Sequence, residues 1–226
     1  MAIAVTIEAG GALWLVPVYA VFLAGYINVA NFMDGIDGIS GIHGVVVGTA
    51  FALVGGVAGE IWLAGVGALI AAVFLGFIPW NLFRKGTFLG DVGSYLLGAS
   101  IAAAAVAGFA SGIPLPAVVG PLAIYLADST STVFRRVRNG ERWYEAHRSH
   151  LYQRLTDVGF SHLRSSAFVG GFTAFSSAAG FVCIIWPGLW LVAALAVLLV
   201  AVIFLVCGTA IVARRGVAAV QEGTAQ

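Results

Sequence analysis

Long apolar runs, broken at near-regular intervals by glycine, proline and charged residues, make up almost the whole chain. With those residues as punctuation, the pattern predicts membrane spans at Leu13–Ala30, Ile39–Val57, Ile61–Phe83, Gly93–Phe109, Leu115–Val133, Ser166–Trp186 and Leu189–Ala213. Each approaches the roughly 20 helical residues that cross a hydrocarbon core. An odd number of spans puts the two termini on opposite sides. The expected fold class is all-α, a polytopic membrane protein of about seven transmembrane helices. Residues 1–226 form a single transmembrane domain with one long basic loop at about 134–165.

Composition narrows the class further. Of 226 residues, 61% are hydrophobic and 9% charged, which excludes a soluble globular domain. Met1 to Gly11 holds no basic residue, so a cleaved signal peptide is not expected and the first span is retained. Cys183 and Cys207 fall inside apolar runs and read as small hydrophobes rather than as a disulfide or metal site. Charge sets the orientation, because basic residues collect in cytoplasmic loops. Arg84 and Lys85 follow the third span; Arg135, Arg136, Arg138, Arg142, Arg148, Arg154 and Arg164 follow the fifth; Arg214 and Arg215 follow the seventh. All 11 basic residues therefore share one face. That face is expected to be the cytoplasm, with the N-terminus outside and the C-terminus inside. Topology accounts for these charges and no recognition motif accompanies them, so no nucleic acid partner is expected.

Three polar clusters meet the same face. In "NVANFMDGIDGIS", Asn28, Asn31, Asp34 and Asp37 recur at every third position, and Gly35, Gly38, Gly41 and Gly44 repeat with the same step. Such spacing suits a broken helix end, or tight helix packing where polar groups line a cavity. Asp34 or Asp37 can be read as a helix cap. Capping needs one carboxylate, however, whereas two carboxylates with two carboxamides point to a site for a cation or a polar ligand. In "NLFRKGTFLGDVGSYLLG", Asp91 precedes Gly93 and Ser94 at the start of a span. It reads either as an N-cap or as a ligand for Mg²⁺, which takes one or two carboxylates and leaves its other positions to water and phosphates.

The basic loop sets seven arginines against Glu141, Glu145 and Asp157. Its stretch "RWYEAHRSHLYQRL" predicts an interfacial amphipathic helix with Trp143, Tyr144, Leu151 and Tyr152 toward lipid. On that helix His147 and His150 face one way, with Arg154 a further turn along. Imidazole and guanidinium together suit a pyrophosphate; the loop's charge alone also suits anionic lipid. Asp128, in "YLADSTSTVFRR", lies about one turn inside the fifth span, where a functional and a structural hydrogen-bonding role both stand open. His43 reads as a packed helix residue.

In this order and at these spacings, "NVANFMDGIDGIS", "GFIPWNLFRKGTFLGDVGSYLLG", "ADSTSTVFRR" and "HRSHLYQRL" resemble the polyprenyl-phosphate N-acetylhexosamine-1-phosphate transferase family. This is the glycosyltransferase 4 group that also contains phospho-MurNAc-pentapeptide translocase. The likeness runs from about Ala24 to Leu155, and the histidine motif looks closest to the O-antigen and surface-polysaccharide branch. It implies transfer of a sugar 1-phosphate from a UDP-N-acetylhexosamine to polyprenyl (undecaprenyl) phosphate at the bacterial cytoplasmic membrane. UMP is released, Mg²⁺ is required, and a lipid-linked surface glycan is started. Carried over by position, Asp91 is implied as the Mg²⁺ ligand, Asp34, Asp37, His147 and His150 as catalytic, and Asn28, Asn31, Asn81, Arg148 and Arg154 as substrate-binding. A homodimer is left open.

Two departures accompany the likeness. The family carries an adjacent aspartate pair in an earlier cytoplasmic loop, absent here, and ten or eleven spans rather than about seven. Both lead to the expectation that N-terminal spans are missing, through a truncated reading frame, a fragment or a half supplied by a partner. The alternatives are an inactive member that binds polyprenyl phosphate or a partner chain, and a secondary transporter. A transporter would want ionisable groups near the bilayer midplane.

Overall fold

The structure, a computed structural model, describes residues 14–84, 87–141 and 149–223. Its regular elements are all helical: α1 (Leu15–Met33), α2 (Ile39–Ala58), α3 (Ile61–Phe83), α4 (Gly90–Ala110), α5 (Leu115–Val119), α6 (Ala123–Arg138), α7 (Leu151–Asp157), α8 (His162–Ile185) and α9 (Trp190–Gly223). A 3₁₀ turn at Gly120–Leu122 joins α5 to α6, and another at Pro187–Leu189 leads into α9. Pro121 explains the first break, since it offers no N–H and its ring crowds the carbonyl four residues back. Among the described residues seven stretches are long and apolar enough to cross a membrane: α1, α2, α3, α4, α5 with α6, α8, and α9 with its leading turn. This is the all-α polytopic architecture that the hydropathy pattern predicts.

Glycine sets how closely these helices approach. In the α2–α3 hairpin, a Cβ on Gly48 would fall on the backbone of Gly67 and Ala71, and one on Gly67 on that of Gly48 and Ala52. Gly98 of α4 lies on Ile27 and Ala30 of α1, and Gly180 of α8 on the Pro116 carbonyl of α5. Between helices in lipid, where no hydrophobic drive acts, backbone approach of this kind supplies the dispersion contacts. Gly41 and Gly44, singled out by their three-residue step, meet Ile78 and Phe74 of α3. Large side chains such as Phe51, Leu63, Leu97, Ile101, Ile124 and Phe204 fill the interior, while Val21, Leu53, Ile61, Leu75, Leu96 and Leu198 cover the outside. His43 is buried as expected, its Nε2 2.9 Å from the Tyr26 hydroxyl and its ring stacked on Tyr125 at 3.5 Å.

Several predicted boundaries move, and the shifts beside the polar clusters matter for chemistry. α1 runs past Ala30 to Met33, so Asn31 is helical, and α4 starts at Gly90 rather than Gly93, so Asp91 stands in its first turn. Much of the described part of the basic loop is helical: α6 continues through Arg138, α7 occupies Leu151–Asp157 and α8 begins at His162. Arginines in the last turn of α6 suit its negative end, so charge there marks the continuation of a helix rather than its end. The lipid-facing amphipathic helix is corrected as well. Leu151 and Tyr152 are 2% and 0% exposed, packed against protein, and helix begins only at Leu151. His150, which precedes α7, is extended rather than helical. Trp143, Tyr144, His147 and Arg148 lie outside the described residues.

Candidate functional site

Where α1 and α3 end and α2, α4 and α8 begin, the helix ends enclose a cavity of about 510 Å³. Its walls include Asn31, Asp34, Asp37, Asn81, Asp91 and His162. The chain turns from α1 into α2 across residues 34–38. Gly38 makes the turn with φ of +85°, a left-handed conformation that side-chain-bearing residues rarely adopt. Gly35 allows a second close approach, because a Cβ there would strike the Tyr152 hydroxyl of α7.

The three aspartates are held in three ways. Ser40, in the first turn of α2, donates to Asp34 Oδ1 at 2.6 Å. Asn31 Nδ2 donates to Asp91 Oδ1 at 3.2 Å and to Ser94 Oγ at 2.9 Å, and Ser94 Oγ donates to the Asp91 carbonyl. Asp37 Oδ2 lies 2.9 Å from His162 Nδ1, and the Ser166 hydroxyl donates to the Asp37 carbonyl at 2.9 Å. Capping does not explain these carboxylates. The N-cap of α2 is Gly38 and that of α4 is Leu89, neither with a side-chain capping bond. Oδ2 of Asp34 and of Asp91 has no protein partner among the described residues. Burial foremost, and the nearby Asp91 charge, raise the Asp34 pKa above its ordinary value; the Ser40 hydrogen bond opposes them. Among the described residues no three His, Cys, Asp or Glu side chains converge as a ready metal cage.

Asn81 works as a brace. Its Oδ1 accepts from the Gly38 amide at 2.6 Å and its Nδ2 donates to the Thr87 carbonyl at 2.9 Å, tying the Asp37 turn to the segment that leads to Asp91. Other predicted site residues lie elsewhere. Asn28 is exposed, one turn further from the helix end than Asn31, and its amide bonds its own helix at the Ala24 carbonyl. Arg154 and His150 do not line the cavity. His150 is buried, with Nδ1 3.2 Å from Asp128 Oδ1. Asp128 itself, 0% exposed, accepts from the Leu151 and Tyr152 amides at 3.0 and 3.4 Å and from Thr132 Oγ1 at 3.3 Å. The open question about Asp128 resolves to structure: it caps α7 from across the bundle. The Tyr152 hydroxyl then reaches the Phe32 carbonyl at 3.0 Å, seating α7 behind the Asp34 turn.

Residue-by-residue reading missed Ser40, Ser94, Ser166 and His162. The first two stand inside the quoted motifs and are legible as hydrogen-bond donors one turn from an aspartate. His162, in "GFSHLR", carries no local motif; only its place at the cavity end of the sixth span could have marked it.

Comparison with known proteins gives the site a context. The family described as glycosyl transferase family 4 matches residues 2–109, a segment that holds Asn31, Asp34, Asp37, Asn81 and Asp91 but not His162. The chain is 27% identical over 152 residues to a probable undecaprenyl-phosphate N-acetylglucosaminyl 1-phosphate transferase of Bacillus subtilis, covering 66% of this chain and 42% of that protein. It is 28% identical over 160 residues to decaprenyl-phosphate N-acetylglucosaminephosphotransferase of Mycobacterium tuberculosis, covering 61% and 40%. It is 34% identical over 121 residues to a phospho-N-acetylmuramoyl-pentapeptide-transferase of Clostridium kluyveri, covering 53% and 37%. The matched region spans about two fifths of the length of these curated relatives.

Proposed function

Taking as premise that the chain belongs to glycosyl transferase family 4 through residues 2–109, we propose that it transfers an N-acetylhexosamine 1-phosphate from a UDP-sugar to polyprenyl phosphate. An oxygen of the lipid phosphate attacks the sugar-bearing phosphorus, the bridging P–O bond breaks, and UMP leaves with the bond pair. The product is a lipid diphosphosugar on which a surface glycan is built. One observation carries the reading: separate sequence motifs deliver three carboxylates and two bracing carboxamides to one cavity at the helix ends. A lipid phosphate held at the bilayer surface and a soluble nucleotide sugar meet at such a place.

The residues suit Mg²⁺. Asp34 and Asp91 face one cavity from different helix ends, each with one oxygen held by a neighbour and the other without a protein partner among the described residues. Among the described residues no third carboxyl or imidazole converges with these two as a metal cage, which fits an ion that takes one or two carboxylates and fills its sphere with water and phosphate. Bound there, Mg²⁺ supplies charge neutralisation to the diphosphate. Ser40 and Asn31 aim the two carboxylates, and Asn81 fixes the turn and the approach to α4. Phosphoryl transfer draws chiefly on such positioning and on fixed charge. The described arginines, from Arg84 at the end of α3 to Arg215 over the Phe160 ring, fall at the cavity end of the bundle. The positive-inside rule supports reading that end as the cytoplasmic one.

The test is UMP release by membranes containing the chain, given polyprenyl phosphate, Mg²⁺ and a panel of UDP-N-acetylhexosamines. Release that requires Mg²⁺ and is lost in Asp91→Asn is the expected result. No release with any donor, from protein shown to be inserted, overturns it. That outcome leaves the second reading, a chain that binds polyprenyl phosphate without transferring.

A further inference from the structure

His162 is the one basic side chain among the described residues that line the cavity, and it arrives from α8, 125 positions away from its partner Asp37. Its Nδ1 lies 2.9 Å from Asp37 Oδ2 and 3.4 Å from the Asp37 amide nitrogen, while the side chain remains 48% exposed and Nε2 has no protein partner among the described residues. Ser166, one turn further along α8, donates to the Asp37 backbone carbonyl, so one helix holds Asp37 both at its carboxylate and at its main chain. The three carboxylates thus fall into two groups. Asp34 and Asp91 stand near enough for the charge of Asp91 to be felt at Asp34, with an oxygen of each open. Asp37 is committed to an imidazole. A carboxylate on one ring nitrogen fixes the ring's orientation and so sets the direction of the other nitrogen, on a side chain that lines the cavity.

We propose that His162 is a phosphate-contacting residue of this cavity, holding a nucleoside diphosphate oxygen through Nε2–H, and that Asp37 acts on the ligand only by orienting that ring. An imidazole placed between a carboxylate and a phosphate carries both protons, Nδ1–H to Asp37 and Nε2–H to the ligand. The assignment gives the cavity a cationic donor to set beside its acidic groups. It rests on the reading of the cavity as a diphosphate site, and its test reads binding, not turnover.

The experiment treats the full chain in membranes with diethyl pyrocarbonate, which acylates accessible imidazole, and follows His162 by mass spectrometry. Mg²⁺ with UDP is the probe and uridine, which lacks phosphate, the control. At ten times its dissociation constant UDP should slow modification of His162 about tenfold, the occupancy factor for a single site. Uridine should not. Two substitutions separate contact from mere bracing, because an Asn amide reaches where Nδ1 stands and a Gln amide where Nε2 stands. His162→Asn should keep the bond to Asp37 and the melting temperature yet weaken UDP binding about 10- to 100-fold, what a hydrogen bond to a charged group is worth. His162→Gln should recover part of that loss. Equal modification with and without UDP, or undiminished UDP binding in His162→Asn, overturns the assignment. Protection without UMP release from any donor sinks the transferase reading and leaves this one standing; release without protection does the reverse.

Discussion

Asp128→Ala tests whether a carboxylate buried across the bundle builds the wall behind the site. In the folded chain Asp128 accepts from the Leu151 and Tyr152 amides, from Thr132 Oγ1, and pairs with His150 Nδ1. Thr132 and His150 have side chains that can turn to other partners; the two amides cannot. A lost cap is worth about 1 kcal/mol and a buried donor left unsatisfied about 1–3 kcal/mol, so the start of α7 should lose about 3 kcal/mol of local stability. Opening there becomes roughly 100-fold more frequent, since about 1.4 kcal/mol corresponds to a factor of ten. Hydrogen exchange reads this most cleanly at the Arg154 amide, whose own bond to the His150 carbonyl at 3.0 Å the substitution leaves in place. Exchange at Arg154 should rise about 100-fold in Asp128→Ala. Asp128→Asn, which keeps an acceptor oxygen, should cost about 1 kcal/mol. Within α8, amides near Val169 should not change. Unaltered exchange at Arg154 in Asp128→Ala would refute the idea that α7 is held from Asp128.

Gly48→Leu, which drives a side chain into the α3 backbone, should lower the melting temperature in detergent by an amount equivalent to about 1–3 kcal/mol or more. Gly56→Leu, on the same helix where a Cβ meets nothing within 4 Å, should not; equal losses in both would refute the packing argument. The raised pKa of Asp34 makes a signed prediction. Its contribution to stability is full below the ordinary value of 3.8 and is lost as pH rises through the raised value, so Asp34→Asn should melt higher than wild type at neutral pH and the gap should close in acid. Parallel melting curves across that range would contradict it.

The membrane architecture was largely written in hydropathy, because a lipid solvent demands apolar runs of fixed length whatever the tertiary contacts. What could not be read was how tertiary partners extend and end helices. α6 runs on through three arginines, and α7 exists because Asp128 caps it from 23 positions away along the chain. The family resemblance assigned His150 to the site, and spacing could not show that its Nδ1 lies beside the buried Asp128. The motif aspartates were placed correctly together since the short turn at 34–38 and the start of α4 follow from span order alone. His162 escaped because its partner Asp37 belongs to another part of the chain, and a lone histidine at a helix start has no pattern of its own.

Gly98 has a mechanical consequence. It lets α4 rest directly on Ile27 and Ala30 of α1, two turns below Asp91 and one turn below Asp34. At a rise of about 1.5 Å per residue, the fulcrum lies only about 6–10 Å from the carboxylates. A rocking of about 5° between the two helices therefore moves an aspartate by less than about 1 Å, whereas the far ends of these spans, about 20 Å away, swing twice as much. A change in bilayer thickness that tilts the helices is spent at the opposite side of the membrane. The gap between Asp34 and Asp91 stays gauged by a short lever, whatever the bilayer does to the long one.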